Sequence, residues 1–337
     1  MNSIDIKGTS AEVLLKTLAK SFKTEYKNQY GEYSMEVPES IGKGLISGVN
    51  FPSGVGLFQF EVQFKIGQCL NFCSPTIHPF KFFYLLEGNL FHQFSEEIES
   101  HEINANQSVI LGANQANSNK IFFPEKNKVS LIMLDVDRQK FINQLTFPLS
   151  EMDDIYYQIF ADSEAKRKLY HHTQYSLKMA HLVTELKNFN SHGLEKMSFQ
   201  GAKALELLTY MLMLYRDDNK NEDFKSIIRP QDLHKINNVV ITIEKKLAVL
   251  GTISSIAQEQ NISEIKLQEG FQLLFNCSVN EYIIQKRLGT AMQLLLKTDK
   301  TISEIVYDVG LSSRSHFSKI FKDKYGVVPT AIRLNRK

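Results

Sequence analysis

"TISEIVYDVGLSSRSHFSKIFKDKYG", residues 301–326, holds two short helical patterns and the break between them. Thr301 and Glu304 have the spacing of a capping box, in which each side chain satisfies a backbone N–H left over at a helix start. The pattern "ISEIVYDV" then runs to Gly310, a residue type that takes the left-handed conformation with which a helix turns off. "SSRSHFSKIFKDKYG" reopens the helical period, capped by Ser312 or Ser313, with Phe317, Ile320 and Phe321 at i, i+3 and i+4 facing inward. A short helix, a tight break and a second helix make a helix-turn-helix.

The same unit occurs once upstream. "TISSIAQE" starts at Thr252 and stops near "QNIS", and "SEIKLQEGFQLLF" follows from Ser263. Ile253, Ile256, Ala257, Ile262, Leu267 and Phe271 form its expected core, with the small Ala257 where the helices cross. Between the units lies "SVNEYIIQKRLGTAMQLLLK", opened by a second capping box, Ser278 with Glu281. About eighteen residues at 1.5 Å each give a rigid helix of about 27 Å. That length suits two recognition helices set about 34 Å apart, one turn of B-DNA, in successive major grooves.

This ordered pattern, roughly residues 232–334, resembles the DNA-binding domain of the AraC/XylS family of bacterial transcription regulators. The match is carried by "SSIAQEQNIS", "YIIQKRLGTAMQLLL" and "ISEIVYDVGLSSRSHFSKIFKDKYGVVPTAIR" at their mutual spacing. Within the family, "KLQEGFQLLFNCSVNEYI" is most similar to the branch containing siderophore-responsive regulators. Val306 stands where the family usually has alanine, and Leu311 where it usually has an aromatic; both stay apolar.

The resemblance implies that Arg314, Ser315, His316 and Lys319 of the second unit face base edges or flanking phosphates. Arginine can donate two bonds to guanine, while serine and lysine more often take phosphate oxygens. In the first unit the candidates are Ile265, Lys266, Gln268 and Glu269. With Glu264 and Glu269 on its recognition helix, that unit is expected to contribute less affinity, because glutamate repels phosphate even where it accepts from a cytosine amino group. Lys286 and Arg287 on the spacer, with Lys322 and Lys324 beyond, are candidates for phosphate neutralisation; the bland alternative is a solvated charge. Charge balance agrees: from His234 onward fifteen Lys and Arg face nine Asp and Glu, a net +6, against −4 for the rest of a 337-residue chain whose total is +2.

Upstream the period changes from helical to two. In "FQFEVQFKI" Phe58, Phe60, Val62, Phe64 and Ile66 point one way and Gln59, Glu61, Gln63 and Lys65 the other. "FFYLLEGNLFHQF" reads as a hairpin about Glu87-Gly88-Asn89, and "SVILGAN", "KIFFP" and "VSLIMLDV" as further strands. The expected fold is α+β. A helical segment at 1–43 precedes an antiparallel, cupin-like β-barrel at 44–138 and a helical dimerisation or packing region at 139–217. A linker at 218–231 leads to an all-α DNA-binding domain at 232–337, with its helix-turn-helix units at about 252–275 and 302–324. "SFQGAKALELLTYMLMLYR" is too apolar to stand alone, so it must pack on the barrel or on a second copy.

A barrel ahead of such a domain resembles the effector-sensing half of AraC-type regulators. Phe58, Phe60, Phe64 and Phe83 could line a pocket for an aromatic or apolar effector, although a filled core explains them equally well. His78, His92 and His101 lack the His-x-His pair that a cupin metal site uses, so no metal is expected. Three cysteines, Cys69, Cys73 and Cys277, are too few for a disulfide framework and fit a reducing compartment. No transmembrane run or signal peptide is recognisable.

The sequence thus points to a cytoplasmic, non-enzymatic regulator without cofactor, expected to be a small-molecule-responsive activator. Its expected partners are double-stranded promoter DNA, RNA polymerase and a second copy of itself. Two alternatives stay open: a ligand-free regulator whose barrel only dimerises, and a cupin-type enzyme with an appended DNA-binding domain.

Overall fold

The computed structural model describes residues 2–74, 77–173, 176–220, 230–275 and 277–334. It divides into two compact units, 1–225 and 226–337.

The first unit contains thirteen described strands: β1 (Asn2–Lys7), β2 (Lys27–Gln29), β3 (Glu32–Glu36), β4 (Gly42–Asn50), β5 (Val55–Phe64), β6 (Gln68–Cys73), β7 (Phe80–Glu87), β8 (Asn89–Phe94), β9 (His101–Asn104), β10 (Gln107–Gly112), β11 (Asn119–Phe123), β12 (Lys128–Val136) and β13 (Leu169–Thr173). Its helices are α1 (Ala11–Phe22), α2 (Arg138–Asn143), α3 (Asp154–Phe160), α4 (Leu177–Asn188) and α5 (Gly193–Lys220). The strands form two open sheets, ordered β1-β6-β11-β8-β9 and β13-β10-β7-β12-β5-β4-β3-β2. The closed cupin-like barrel expected from the sequence is therefore replaced by two facing sheets. One pairing is parallel, β1 on β6.

Three local expectations change with it. Residues 1–43 hold three strands and part of a fourth besides α1, and β13 lies inside the stretch expected to be helical. The supposed hairpin at Glu87-Gly88-Asn89 is no hairpin, since β7 and β8 belong to different sheets. Gly88 makes that passage possible: its φ is +90°, and a Cβ there would meet the Lys128 carbonyl oxygen at 2.3 Å. Of the expected linker, residues 218–220 end α5 and 230–231 open the next helix, while 221–229 lie outside the described residues.

Around β12 the eight-stranded sheet is buried on both faces, which explains why "VSLIMLDV" reads as a continuous apolar run. Val129, Leu131 and Met133 of β12 face the core between the sheets, and Ile132, Leu134 and Val136 face the helices. The apolar helix α5 packs on that outer face through Ala204, Leu207, Leu208, Met211 and Tyr215. Phe58, Phe60, Phe64 and Phe83 are at most 2% exposed and belong to the inner core. There Phe60 and Phe64 each pack on Phe123 at a centroid distance of 5.6 Å. The expected effector pocket at these four rings is thus filled by the rings themselves. Phe64 also borders an open cleft of about 870 Å³ whose walls include Glu36, Glu39, Lys43, Lys65 and Lys126. Ile66, expected on the same inward face, is 63% exposed because β5 ends at Phe64.

His92 is buried and hydrogen-bonded to Asn119 Oδ1 at 3.0 Å, while His101 stacks on Tyr170 at 4.0 Å. Among the described residues no group of three metal-binding side chains comes together, and no helix is long and apolar enough to cross a membrane.

The second unit is all-helical: α6 (Pro230–Lys245), α7 (Ile253–Glu259), α8 (Glu264–Phe275), α9 (Val279–Lys297), α10 (Ile302–Asp308), α11 (Arg314–Tyr325) and α12 (Pro329–Leu334), with a 3-10 turn at Leu247–Val249. The pairs α7/α8 and α10/α11 are the two helix-turn-helix units and α9 is the spacer, about 28 Å long at 1.5 Å per residue.

Candidate nucleic-acid interface

The second unit is built around two fully buried phenylalanines. Phe317 and Phe321 pack together at 5.4 Å and against Ile305, Val306, Leu288 and Ala291. Val306, the departure from the usual alanine, is accommodated as a buried core residue. The capping box at Thr301 and Glu304 is complete in both directions. Hydrogen bonds from the Thr301 backbone and hydroxyl hold the Glu304 carboxyl below its ordinary pKa.

Gly310 turns the chain with φ +79°, and a Cβ at that position would stand 2.6 Å from the Ala248 carbonyl oxygen. Glycine is therefore required twice there, for its conformation and for a close backbone approach. Ser313 caps α11, its hydroxyl accepting from the His316 N–H at 3.2 Å.

With the inward face fixed, Arg314, Ser315 and His316 occupy the exposed first turn of α11 and Lys319 the next. Ser315, Lys319 and Lys322 follow one another at i, i+4 and i+7, which places them on one exposed face. Among the described residues, neither Arg314 nor Lys319 has an internal hydrogen-bond or ion-pair partner. Both cations are presented to solvent at the end of the helix that can enter a groove.

The first unit repeats the scaffold but uses its polar side chains differently. Ile256, Ala257, Ile262, Leu267 and Phe271 form the expected core, with Ile253 half-buried. Ile265 is 71% exposed and Glu264 and Glu269 are exposed beside it. Lys266, however, reaches Asp232 at 2.9 Å and ties α8 to α6. Gln268 accepts from the Val279 N–H at 3.1 Å, satisfying a donor at the start of α9. Lys266 and Gln268, two of the four residues expected to face DNA here, thus also hold the fold.

The spacer candidates also have internal partners. Lys286 pairs with Glu244 at 2.6 Å over the Tyr282 ring, and burial pulling its pKa down is outweighed by that bond. Arg287 points to the Leu247 carbonyl at 3.4 Å, its pKa lowered by burial. Lys324 donates to the Gln285 carbonyl at 3.2 Å, which joins α11 to α9. The reason is common to all three: they lie where α9 meets its neighbours, so their long side chains find internal acceptors before solvent.

Arg333, which the sequence does not mark, closes the end of the domain. Its guanidinium donates to the carbonyls of Thr298 and Lys300, pinning α12 to the turn ahead of α10. The neighbouring carbonyls become visible only when α12 folds back, so no local signal could have shown it.

Two helix-turn-helix units joined by one long helix, with a free basic face on the second, define a DNA-binding module. The family described as "Helix-turn-helix domain" matches residues 256–335. The C-terminal region is an AraC/XylS-type helix-turn-helix domain. Among curated proteins, the HTH-type transcriptional activator CfaD of Escherichia coli is 31% identical over 148 residues, 44% of this chain and 52% of that one. The DNA-binding dual transcriptional regulator Rns of Escherichia coli is 32% identical over 148 residues with the same coverage. The chain thus spans about half the length of these relatives. A solved transcriptional regulator with an AraC-type DNA-binding domain, from Chromobacterium violaceum, is 27% identical with a TM-score of 0.29. It covers 30% of this chain and 91% of that one.

Proposed function

We propose that the protein is a transcription regulator that binds double-stranded promoter DNA through α11 first and α8 second, and that it acts as a small-molecule-responsive activator. The observation that carries the reading is the exposed first turns of α11, where Arg314 and Lys319 stand free above a core of Phe317 and Phe321. Arg314 is the base reader, since a guanidinium matches the two acceptors of guanine. Lys319 supplies phosphate neutralisation, with Ser315 and His316 flanking it. In the first unit Ile265 makes apolar contact with a thymine methyl or sugar, and Glu269 accepts from a cytosine amino group. Activation follows the printed description of the relative CfaD and brings RNA polymerase in as a partner. The role places the protein in the cytoplasm; the N-terminal unit, residues 1–225, is assigned effector binding and homodimer formation.

The test begins with selecting bound fragments from a genomic library with the full chain. Binding to the selected site is then measured over a range of salt concentrations. Arg314→Ala is expected to relax preference at one base pair, and Lys319→Ala to weaken all sequences alike. Equal, sequence-independent losses for both variants overturn the assignment of base reading to Arg314.

A further inference from the structure

Between β12 and β13 the chain reads "RQKFINQLTFPLSEMDDIYYQIF", residues 138–160, apolar throughout but with Glu151, Asp153 and Asp154 close together. Pro148 has no N–H to donate and disfavours helix at the residue before it, so α2 cannot run on into α3. A loop and a 3-10 turn, Leu149–Glu151, join them instead. With Leu212 of α5 these pieces border a cleft of about 360 Å³, inside the roughly 300–1,000 Å³ usual for small-molecule sites.

Its walls are aromatic and aliphatic. Phe160 is buried, stacks on Phe141 at 5.1 Å and meets Phe80 edge-on at 6.0 Å, which fixes its place. Tyr156 lies against α5, its hydroxyl donating to the Leu212 carbonyl at 3.2 Å. With that polar atom satisfied, the ring joins Met152 and Leu212 in the apolar lining. Phe147 borders the same cleft and is 42% exposed. The charge of the cleft has one sign: Glu151 and Asp153 line it, and no lysine, arginine or histidine does so among the described residues. Asp153 stands at the N-cap of α3, where an aspartate ordinarily accepts from a backbone N–H of the first turn, yet its side chain makes no cap bond. Among the described residues neither carboxylate has a hydrogen-bond or ion-pair partner. The cations that flank the lining in sequence are engaged elsewhere, Lys140 with Asp137 at 3.7 Å and Arg216 with Asp217 at 3.0 Å.

From this juxtaposition we propose that the cleft between the α2–α3 segment and α5 binds a small organic cation with an apolar body, of the quaternary-ammonium or arylalkylammonium class. Aromatic faces attract a positive charge through their quadrupole, and the apolar body is taken out of water by the same walls. Glu151 and Asp153 supply the opposite charge. An anion meets two carboxylates and no cation, and a neutral molecule of the same shape uses the walls alone. Bound there, the cation ties α3 and the 3-10 turn to α5, the last described helix before the DNA-binding domain in the chain. The inference rests on the reading of the N-terminal unit as effector-responsive, and it moves the effector from the phenylalanine core between the sheets to the helical layer.

The test is calorimetric titration of the full chain, at one ionic strength, with three compounds that share a ring and differ in charge: benzyltrimethylammonium, benzyl alcohol and benzoate. The cation is expected to bind saturably and about fivefold or more tighter than the alcohol, with benzoate weakest. The double variant Glu151→Gln, Asp153→Asn alters two exposed carboxylates without internal partners, so the fold should be kept. It is expected to weaken the cation about threefold or more and leave the alcohol unchanged. Phe147→Ser at the exposed border should weaken both. No saturable binding of the cation, equal binding of all three compounds, or a cation preference that survives the double variant overturns the site. A change of association state in Phe147→Ser, with no binding of the cation to the native chain, makes the cleft a contact between copies and also overturns it. DNA binding by the ligand-free chain is measured alongside. DNA binding without cation binding removes the site and leaves the regulator standing, whereas carboxylate-dependent cation binding without DNA binding keeps the site and removes the regulator.

Discussion

In α11 the first two turns present Arg314, Ser315, His316 and Lys319 outward, whereas the matching turns of α8 have Lys266 paired to Asp232 and Gln268 bonded to the Val279 N–H. The two helices share a scaffold: a capped first helix, a turn, and a second helix pinned by buried aromatic or aliphatic side chains. What differs is whether a polar side chain finds an internal acceptor. Where it does, the residue stiffens the domain; where it does not, it is available to a polyanion. The remaining exposed charges of α8, Glu264 and Glu269, have the wrong sign for phosphate. The second unit is therefore expected to supply most of the DNA affinity and the first to set register.

The largest effect expected is from Phe317→Ala. Emptying a fully buried site should cost about 3–5 kcal/mol of stability and abolish DNA binding, read by denaturant unfolding and by titration with the selected site. Loss of binding without loss of stability would instead place Phe317 at the DNA. Next comes Arg314→Ala, expected to weaken specific binding by about 1–3 kcal/mol while leaving unfolding unchanged. Gln268→Ala is the counterpart in the first unit and inverts the outcome: about 1 kcal/mol lost in stability and no change in base preference, checked by unfolding and by selection of bound sequences. An altered base preference would return Gln268 to the interface and erase the contrast between the units.

Lys319→Ala should leave stability alone and make the slope of log affinity against log salt shallower by about one phosphate. The smallest effect is in acid. The Glu304 carboxyl is held below its ordinary pKa, so its contribution is present above the unfolded value and lost as pH falls through the lowered one. Thr252 caps α7 with serine, not glutamate, three residues on. Glu304→Gln should accordingly flatten the acid end of the stability profile, while Ser255→Ala should not; equal profiles would show that the capping box contributes nothing.

The C-terminal unit was legible because its signals are local. Caps, a turn glycine and i, i+3, i+4 aromatics act within a few residues, so Thr301, Gly310, Ser313 and Phe317 do in the fold what their neighbours in sequence demand. The internal partners of Lys286, Arg287 and Lys324 were not legible for the opposite reason. A lysine on a helix reads the same whether it faces solvent or Glu244, and the partner lies far away in sequence. In the first unit the period-two pattern located strands, but it carried no information on which sheet a strand joins. The passage at Gly88 looks like a hairpin because the residues that tell otherwise, Lys128 and its pairing with β5, come forty residues later.

The sequence by itself determined the helix-turn-helix pair, its caps and its buried faces, since each rests on contacts a turn or two apart. Only the tertiary structure decided that the strands form two open sheets, that four phenylalanines fill the space between them, and which cations remain free. Those outcomes depend on pairings between distant segments, where side chains of identical chemistry compete for one acceptor and position alone selects among them.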